Sequence, residues 1–543
     1  MPRPLQPVLH FWRHLAGSPL FLYPLLFLLG VIASALPVMR AGVVLPHEYD
    51  EFAYLLGADT FLAGRLANPP HPLAPFFQTL HVLQSPTYAS KYPPGQSLQL
   101  AFGELLGHPI FGVWITVGLL AIAAAWMLRG LAPATWAAAG GLLAAWQWGA
   151  LTYWGRTYWG GSLFALAGML VFGGLIRFVR KPNGPAAWWA GLGAALMAIT
   201  RPYEGLWFCL VPAAVMLLRL AQEKRAGITT AALARYIALA ATPILAALIF
   251  LLVYNHAVTG DALTFPHRLY EKTVMPDVGL FVWDTPQPAP PSRIPEVSYQ
   301  LQRFSVGLLN QPAVHLADLL HYDATTVLPM LSGFYLQGLL GLGLIWAILS
   351  GLAWRNRPGR LALACLISLP LMLLTLRFFG FQHYAAAWSA PLAALILLGF
   401  RGLCALRWRG WRLHPAWLAL VLFGWAGNIL YHETANGTFP NTWTLDRLAL
   451  TGNLEIQSVL DHRAHVVFVM PAEGQPALVE WVYNGPDIDS QTVIFAHSLG
   501  PALDTTVARY YPTRHLWQAW LKPDGELDRL TPYHPTTPAP PAH

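Results

Sequence analysis

Residues 19–51 read "PLFLYPLLFLLGVIASALPVMRAGVVLPHEYDE", and the reading of this stretch decides the fold. Positions 19–38 form an apolar run of about 20 residues, the length at which a helix spans the hydrocarbon core of a bilayer. Three acids, Glu48, Asp50 and Glu51, then fall within four positions, although only 11% of the 543 residues are charged. A span ends, and carboxylates are concentrated just beyond it.

Similar apolar runs recur. With 55% hydrophobic residues, 23 Trp and a mean hydropathy of +0.44, the chain carries more apolar surface than a water-soluble globule can solvate. The fold class that follows is an α-helical polytopic membrane protein. The net charge of +7 does not indicate a nucleic-acid partner. Its basic residues lie in short clusters between apolar runs: Arg177–Lys181, Arg219–Arg225, Arg355–Arg360 and Arg407–Arg412. Such clusters report membrane orientation. The three cysteines, Cys209, Cys365 and Cys404, give neither a metal-ligand spacing nor a disulfide framework. Arg3 and Arg13 precede the first run, and "ASA" at Ala33–Ala35 has the form of a cleavage site. The long basic leader favours an uncleaved first span.

Apolar runs set against basic clusters give about eleven spans, near 19–38, 109–129, 134–152, 161–178, 184–199, 203–220, 232–254, 328–350, 360–376, 385–404 and 414–431. Alternation from a cytoplasmic N-terminus puts every basic cluster inside and nearly every acid outside, Glu223 excepted. The C-terminus then lies outside. This divides the chain into a transmembrane module, 1–432, and a small α/β outer domain, 433–543, with a Pro-rich tail. Two outer loops are long, 39–108 and 256–326; the second carries the Pro-rich "DTPQPAPPSRIP", expected to act as a lid or spacer. Leu55, Ala58, Leu62 and Leu66 recur at helical spacing and predict a helix lying on the membrane surface. In the outer domain "HVVFVMP", "VEWVYN", "TVIFAHS" and "HLWQAWL" predict strands, with a helix near 502–511. No internal repeat is visible, which counts against a secondary transporter.

Asp50 and Glu51 read in two ways: as a general base or cation site at a membrane-level cavity, or as a helix N-cap and a first-turn acid. In "SKYPPGQSL", Lys91 offers a charge to an anion and Tyr92 a stacking face, or the prolines make a rigid anchor. "ITRPYEGL" interrupts an apolar stretch at the outer face. There Arg201 holds a phosphate bidentately, or pairs with Glu204 to close a hairpin, with Tyr203 beside them. "RFFGFQHYAAAW" brings Arg377, His383 and Tyr384 to the same depth. The sequence Ala496–Gly500, "AHSLG", approaches a nucleophile elbow, with Asp524 and His534 downstream. Its first glycine is missing, and the domain is too short for a hydrolase sheet. The histidines of the first loop, His47, His71, His81 and His108, lack zinc spacing.

Asp50-Glu51, "FAYLLGADTFLAGRL", "KYPPGQSL", "TRPYEG" and "FQHYAAAWSAP", in this order and topology, resemble the GT-C superfamily of membrane glycosyltransferases. That superfamily includes protein O-mannosyltransferases and lipid A aminoarabinose transferases. "EWVYNGPDID" and "YYPTRHLW" resemble a bacterial branch with this outer domain. The resemblance implies a bacterial inner-membrane enzyme that transfers a sugar from a polyprenyl-phosphate donor, such as an undecaprenyl phosphate, on the periplasmic face. The acceptor would be a hydroxyl of a lipid, glycan or protein. It implies inversion, with Asp50 as general base, Glu51 orienting a partner or binding a cation, and Lys91, Arg201 and His383 holding the lipid phosphate. Tyr92, Tyr203, Glu204 and Tyr384 complete the substrate-binding set, and Glu48 is expected to be a bystander. Some members of the superfamily use a divalent cation (Mg or Mn) and others none. The one D-x-D, Asp487-Ile488-Asp489, is remote, so metal dependence stays open. Two other functions compete: a transporter or flippase of a lipid-linked anion, which needs polar residues within the spans, and a non-catalytic scaffold, which has no use for Asp50.

Overall fold

The computed structural model describes residues 6–41, 44–276, 280–285, 340–376, 382–407, 413–435, 442–470, 472 and 479–535. Most of the second outer loop with its Pro-rich tract, the first part of the predicted 328–350 span, Arg377 and the C-terminal tail lie outside these residues.

The chain is mainly helical. After α1 (Gln6–Gly17) come α2 (Pro19–Ala41), α3 (Tyr49–Leu62), α4 (Pro94–Glu104), α5 (Pro109–Arg129) and α6 (Ala134–Gly149). Next are α7 (Ser162–Arg180), α8 (Gly184–Thr200), α9 (Pro202–Arg225), α10 (Thr230–Thr259) and the short α11 (Pro266–Thr273). Further on lie α12 (Leu340–Leu349), α13 (Arg357–Leu373), α14 (Ser389–Ala405) and α15 (Pro415–Ala435). Each predicted span coincides, where described, with one of these helices. Among the described residues, six helical segments are long and apolar enough to cross a membrane: 19–39, 109–129, 162–180, 202–225, 230–259 and 382–405.

Local sequence sets the helix starts. Proline stands in the first turn of α5, α8 and α9, where its missing N–H costs nothing. The caps His108, Asn183 and Thr229 accept backbone N–H groups. Small residues let helices approach closely. A Cβ on Gly191 would stand 2.1 Å from the Ala240 carbonyl oxygen, and one on Gly168 2.4 Å from that of Ala387. The second contact seats a 3₁₀ turn, Gln382–Trp388, against α7.

Between α3 and α4 a two-residue hairpin, β1 (Val82–Leu83) and β2 (Ala89–Ser90), pairs Val82 with Ser90. The outer domain adds α16 (Thr442–Asp461), β3 (His465–Met470), β4 (Val493–His497), α17 (Pro501–Tyr510), β5 (His515–Leu521) and β6 (Leu527–Pro532). Its sheet runs β4-β3-β5-β6, parallel except for β6. Strand alternation sends Val466 and Phe468 into a core with Ile494, Val507 and the first loop's Ala53, Leu56, Phe76 and Phe77. Val467 and Val469 go into a second core with Trp443, Leu450 and Leu454 of α16 and Phe52 of α3.

Three expectations are corrected. First, α3 is no surface helix: Phe52, Ala53, Tyr54, Leu56, Gly57 and Ala58 are buried on several faces, beneath the outer domain on one side and against α4 on another. Second, "VEWVYN" (479–484) forms no strand. Arg447 takes the carbonyls of Trp481 (2.9 Å) and Tyr483 (2.5 Å), and Glu480 takes the Val482 N–H (2.7 Å), so side chains replace a strand ladder. Third, α16 and β6 were not foreseen.

Candidate active site

The site begins at the first turn of α3. Its N-cap is Glu48, not Asp50, and Glu48 and Glu51 form a capping box. Glu51 is fully buried, and both its oxygens are occupied. Oε2 accepts the backbone N–H groups of His47 (2.9 Å) and Glu48 (3.2 Å), and Oε1 accepts that of Tyr158 (2.8 Å). This ties the helix start to the loop ahead of α7. Glu51, expected to orient a partner or bind a cation, thus accepts three backbone N–H groups here. Successive residues on a helix point about 100° apart, so the contacts that bury Glu51 send Asp50 elsewhere.

The hydroxyl of Tyr92 donates to Oδ1 of Asp50, and Nε2 of His81 lies 3.7 Å from Oδ2. The hairpin register continues past β1 and β2, so the Lys91 N–H donates to the His81 carbonyl at 3.0 Å. The Lys91 ammonium stands over two rings, 5.1 Å from the centroid of Tyr92 and 4.9 Å from that of Tyr270 on α11. Tyr92 stacks on Tyr54 at 4.5 Å, and its carbonyl accepts the Tyr254 hydroxyl at 3.1 Å.

Charge follows from this packing. Burial disfavours the Asp50 carboxylate, while the charges of Lys91 and Arg201 and the Tyr92 hydroxyl favour it. Burial, helped by Lys91, pushes His81 down to about 3, so its ring is neutral. Burial lowers Lys91 to about 8, against the pull of Asp50 and Glu271. Burial and the charge of Glu51 raise Glu48 to about 7.

Arg201 ends α8. Its Nη1 pairs with Glu204 Oε1 at 3.1 Å, which is the hairpin-closing pair, and its guanidinium lies 4.4 Å over the Tyr384 ring. It still contributes to the field at Asp50. Tyr384 contacts His383, ring to ring, at 4.6 Å. Nδ1 of His383 is 2.7 Å from the Tyr153 hydroxyl. Tyr203 turns to Thr375, 2.5 Å away, and to the Phe281 ring. Asp50, Lys91, Tyr92, Arg201 and Tyr384 are thus brought into one electrostatic neighbourhood, with His383 behind Tyr384. Glu51 and Tyr203 are directed into structural contacts.

Sequence reasoning missed His81, Tyr54, Tyr153 and Tyr270. For His81 the available signal was "HVLQSPTYASK", two short strand-like runs around a Ser-Pro turn that bring His81 opposite Lys91. The donor set does not suit a divalent cation. Asp50 is one carboxylate among cations, Glu51 is spent on N–H groups, and no trio of metal-ligating side chains exists among the described residues.

The remote D-x-D is a docking clasp. Asp487 pairs bidentately with Arg65 (both 2.9 Å), while Asp489 meets His71 (3.0 Å) and the hydroxyls of Tyr510 and Tyr511. The hydroxyl of Ser498 donates to Asp504 at 2.7 Å.

No family model matches the chain, and no curated protein matches it. Among solved structures it is similar to the oligosaccharyltransferase of Archaeoglobus fulgidus in complex with zinc and sulfate, at 11% identity and a TM-score of 0.47, covering 92% of this chain and 68% of that one. The archaeal oligosaccharyltransferase AglB from Archaeoglobus fulgidus, with an inhibitory peptide and a dolichol-phosphate, matches at 12% identity and a TM-score of 0.44, covering 92% and 69%. The Archaeoglobus fulgidus oligosaccharyltransferase in the apo form gives the same identity, TM-score and coverage.

Proposed function

We propose that the chain is a membrane glycosyltransferase that moves a sugar from a polyprenyl-phosphate donor to a hydroxyl acceptor, with inversion, on the periplasmic face of a bacterial inner membrane. One observation carries this reading: a single carboxylate, Asp50, beside a span end, bound by the Tyr92 hydroxyl and in the field of Lys91 and Arg201. A carboxylate so placed suits a general base, and cations at the same place suit a departing phosphate.

In the step that follows, Asp50 takes the proton of the acceptor hydroxyl. The freed oxygen attacks the anomeric carbon, and the bond from that carbon to the phosphate oxygen breaks. The electron pair leaves with the lipid phosphate, whose charge Lys91 and Arg201 neutralise. Tyr384 holds the Arg201 plane, and Tyr92 holds the Asp50 carboxylate. The first 432 residues form the transferase module, and the outer domain closes over the loop that bears Asp50.

The test is a deletion strain carrying the wild-type chain or Asp50→Asn, with mass spectrometry of its glycolipids and glycoproteins. Deletion should remove one hexose- or pentose-sized modification, wild type should restore it, and Asp50→Asn, inserted and as stable, should not. Full restoration by Asp50→Asn overturns the assignment.

A further inference from the structure

We infer that His81 is the positioning residue of Asp50: its neutral imidazole presents Nε2–H to Oδ2 and aims the carboxylate without lowering its basicity as a cation would. The inference deepens the transferase reading and rests on it.

Several observations converge. Nε2 of His81 is 3.7 Å from Oδ2, while the other carboxylate oxygen is taken by Tyr92. Nδ1 is buried with no hydrogen-bond partner among the described residues. A bare ring nitrogen without a partner is an unused acceptor, whereas an N–H there would be a buried donor left unmet, which costs more. The proton therefore sits on Nε2, the nitrogen that faces Asp50.

The ring is also held. The His81 N–H donates to the Tyr270 hydroxyl at 3.0 Å, and its carbonyl receives the Lys91 N–H. Its edges meet Tyr49, Tyr92 and Tyr270. It does so at φ +67°, one of two described non-glycine residues with positive φ. That conformation is unfavourable for an L-residue, and strain of this kind persists where the surrounding structure fixes it.

Charge state matters for the role. The groups that face the ring are Asp50 from α3, Lys91 from the hairpin, and His267 and Tyr270 from α11, with Lys91 the nearby fixed cation. An imidazolium would sit against that ammonium and would weaken Asp50 as a base. A neutral N–H donor orients one lone pair of Oδ2 and leaves the other for the acceptor hydroxyl. The 3.7 Å separation is longer than a formed hydrogen bond, as is common before substrate closes a site.

The experiment compares His81→Gln with His81→Leu. Both carry the same backbone cost at positive φ and similar bulk, and only glutamine offers an N–H. Two readouts apply to the full-length chain in nanodiscs and in the deletion strain. The first is the Asp50 carboxylate stretch, isolated as an infrared difference between each chain and its Asp50→Asn counterpart. The second is restoration of the modification. His81→Leu should shift the stretch and lose restoration, and His81→Gln should recover both. An unshifted stretch in His81→Leu overturns the inference, as does equal loss in both variants. If Asp50→Asn still restores the modification, the transferase reading fails instead. If Asp50→Asn abolishes it while His81→Leu restores it fully, only the His81 inference falls.

Discussion

Replacing Glu51 by glutamine separates a structural carboxylate from a chemical one. In the wild type its two oxygens accept three backbone N–H groups, two on Oε2 and one on Oε1. An amide has one oxygen. In its better orientation the oxygen keeps His47 and Glu48, and the NH2 is driven against the Tyr158 N–H. One hydrogen bond to a charged acceptor is lost, worth about 1.5–3 kcal/mol, and a buried donor is left unmet at about 1–3 kcal/mol. The two remaining bonds fall to roughly half strength without the charge, while relief of carboxylate desolvation offsets part of the total. A net cost of about 2–4 kcal/mol follows. It falls on the local tie between α3 and the 153–158 turn, so hydrogen exchange is a better measure than a global melt. The amide of Tyr158 should exchange roughly 30- to 1,000-fold faster in Glu51→Gln, since 1.4 kcal/mol is a factor of ten. If its exchange changes less than about threefold while restoration of the modification is lost, Glu51 acts chemically and the reasoning is wrong.

Glu48 predicts a pH dependence. Its folded pKa is raised from 4.5 to about 7, so the associated stability is present below the unfolded value and is lost as pH rises toward 7. The melting temperature of wild type should fall relative to Glu48→Gln between pH 4.5 and 8, by an amount equivalent to about 2–3 kcal/mol; parallel curves would refute it. Docking of the outer domain should depend unequally on two acids. Glu480 is buried, accepting the Thr79 hydroxyl and the Val482 N–H. Asp487, although bidentate with Arg65, is 55% exposed. Glu480→Ala should loosen the domain by about 2–4 kcal/mol and Asp487→Ala by at most about 1 kcal/mol, read as protease sensitivity of the first loop; a reversed ranking would contradict the burial argument.

The membrane-spanning helices were legible because bilayer length imposes itself on composition, residue by residue. Asp50, Lys91, Arg201 and Tyr384 were legible as polar interruptions at one depth. What separates Asp50 from Glu51 is a rotation of one helical position, and adjacent acids look alike in sequence. The α3 helix was misread because its second apolar contact comes from Val466, Phe468 and Trp443, some 400 positions away. "VEWVYN" has the composition of a strand, but the Arg447 guanidinium takes its carbonyls, and no local pattern announces that. His81 was invisible as a partner of Asp50 because only the hairpin and its left-handed backbone bring it there.

The outer domain's grip on the first loop has a consequence for biosynthesis. Thr79 meets Glu480, and Arg65 meets Asp487, across separations of 401 and 422 residues. A chain made from its N-terminus therefore leaves Phe76, Phe77 and one side of α3 uncovered until the residues of β3 and β4 that pack on them have been made. Contacts of such sequence separation form late. Ordering of the Asp50 turn is thereby tied to residues some 400 positions later in the chain.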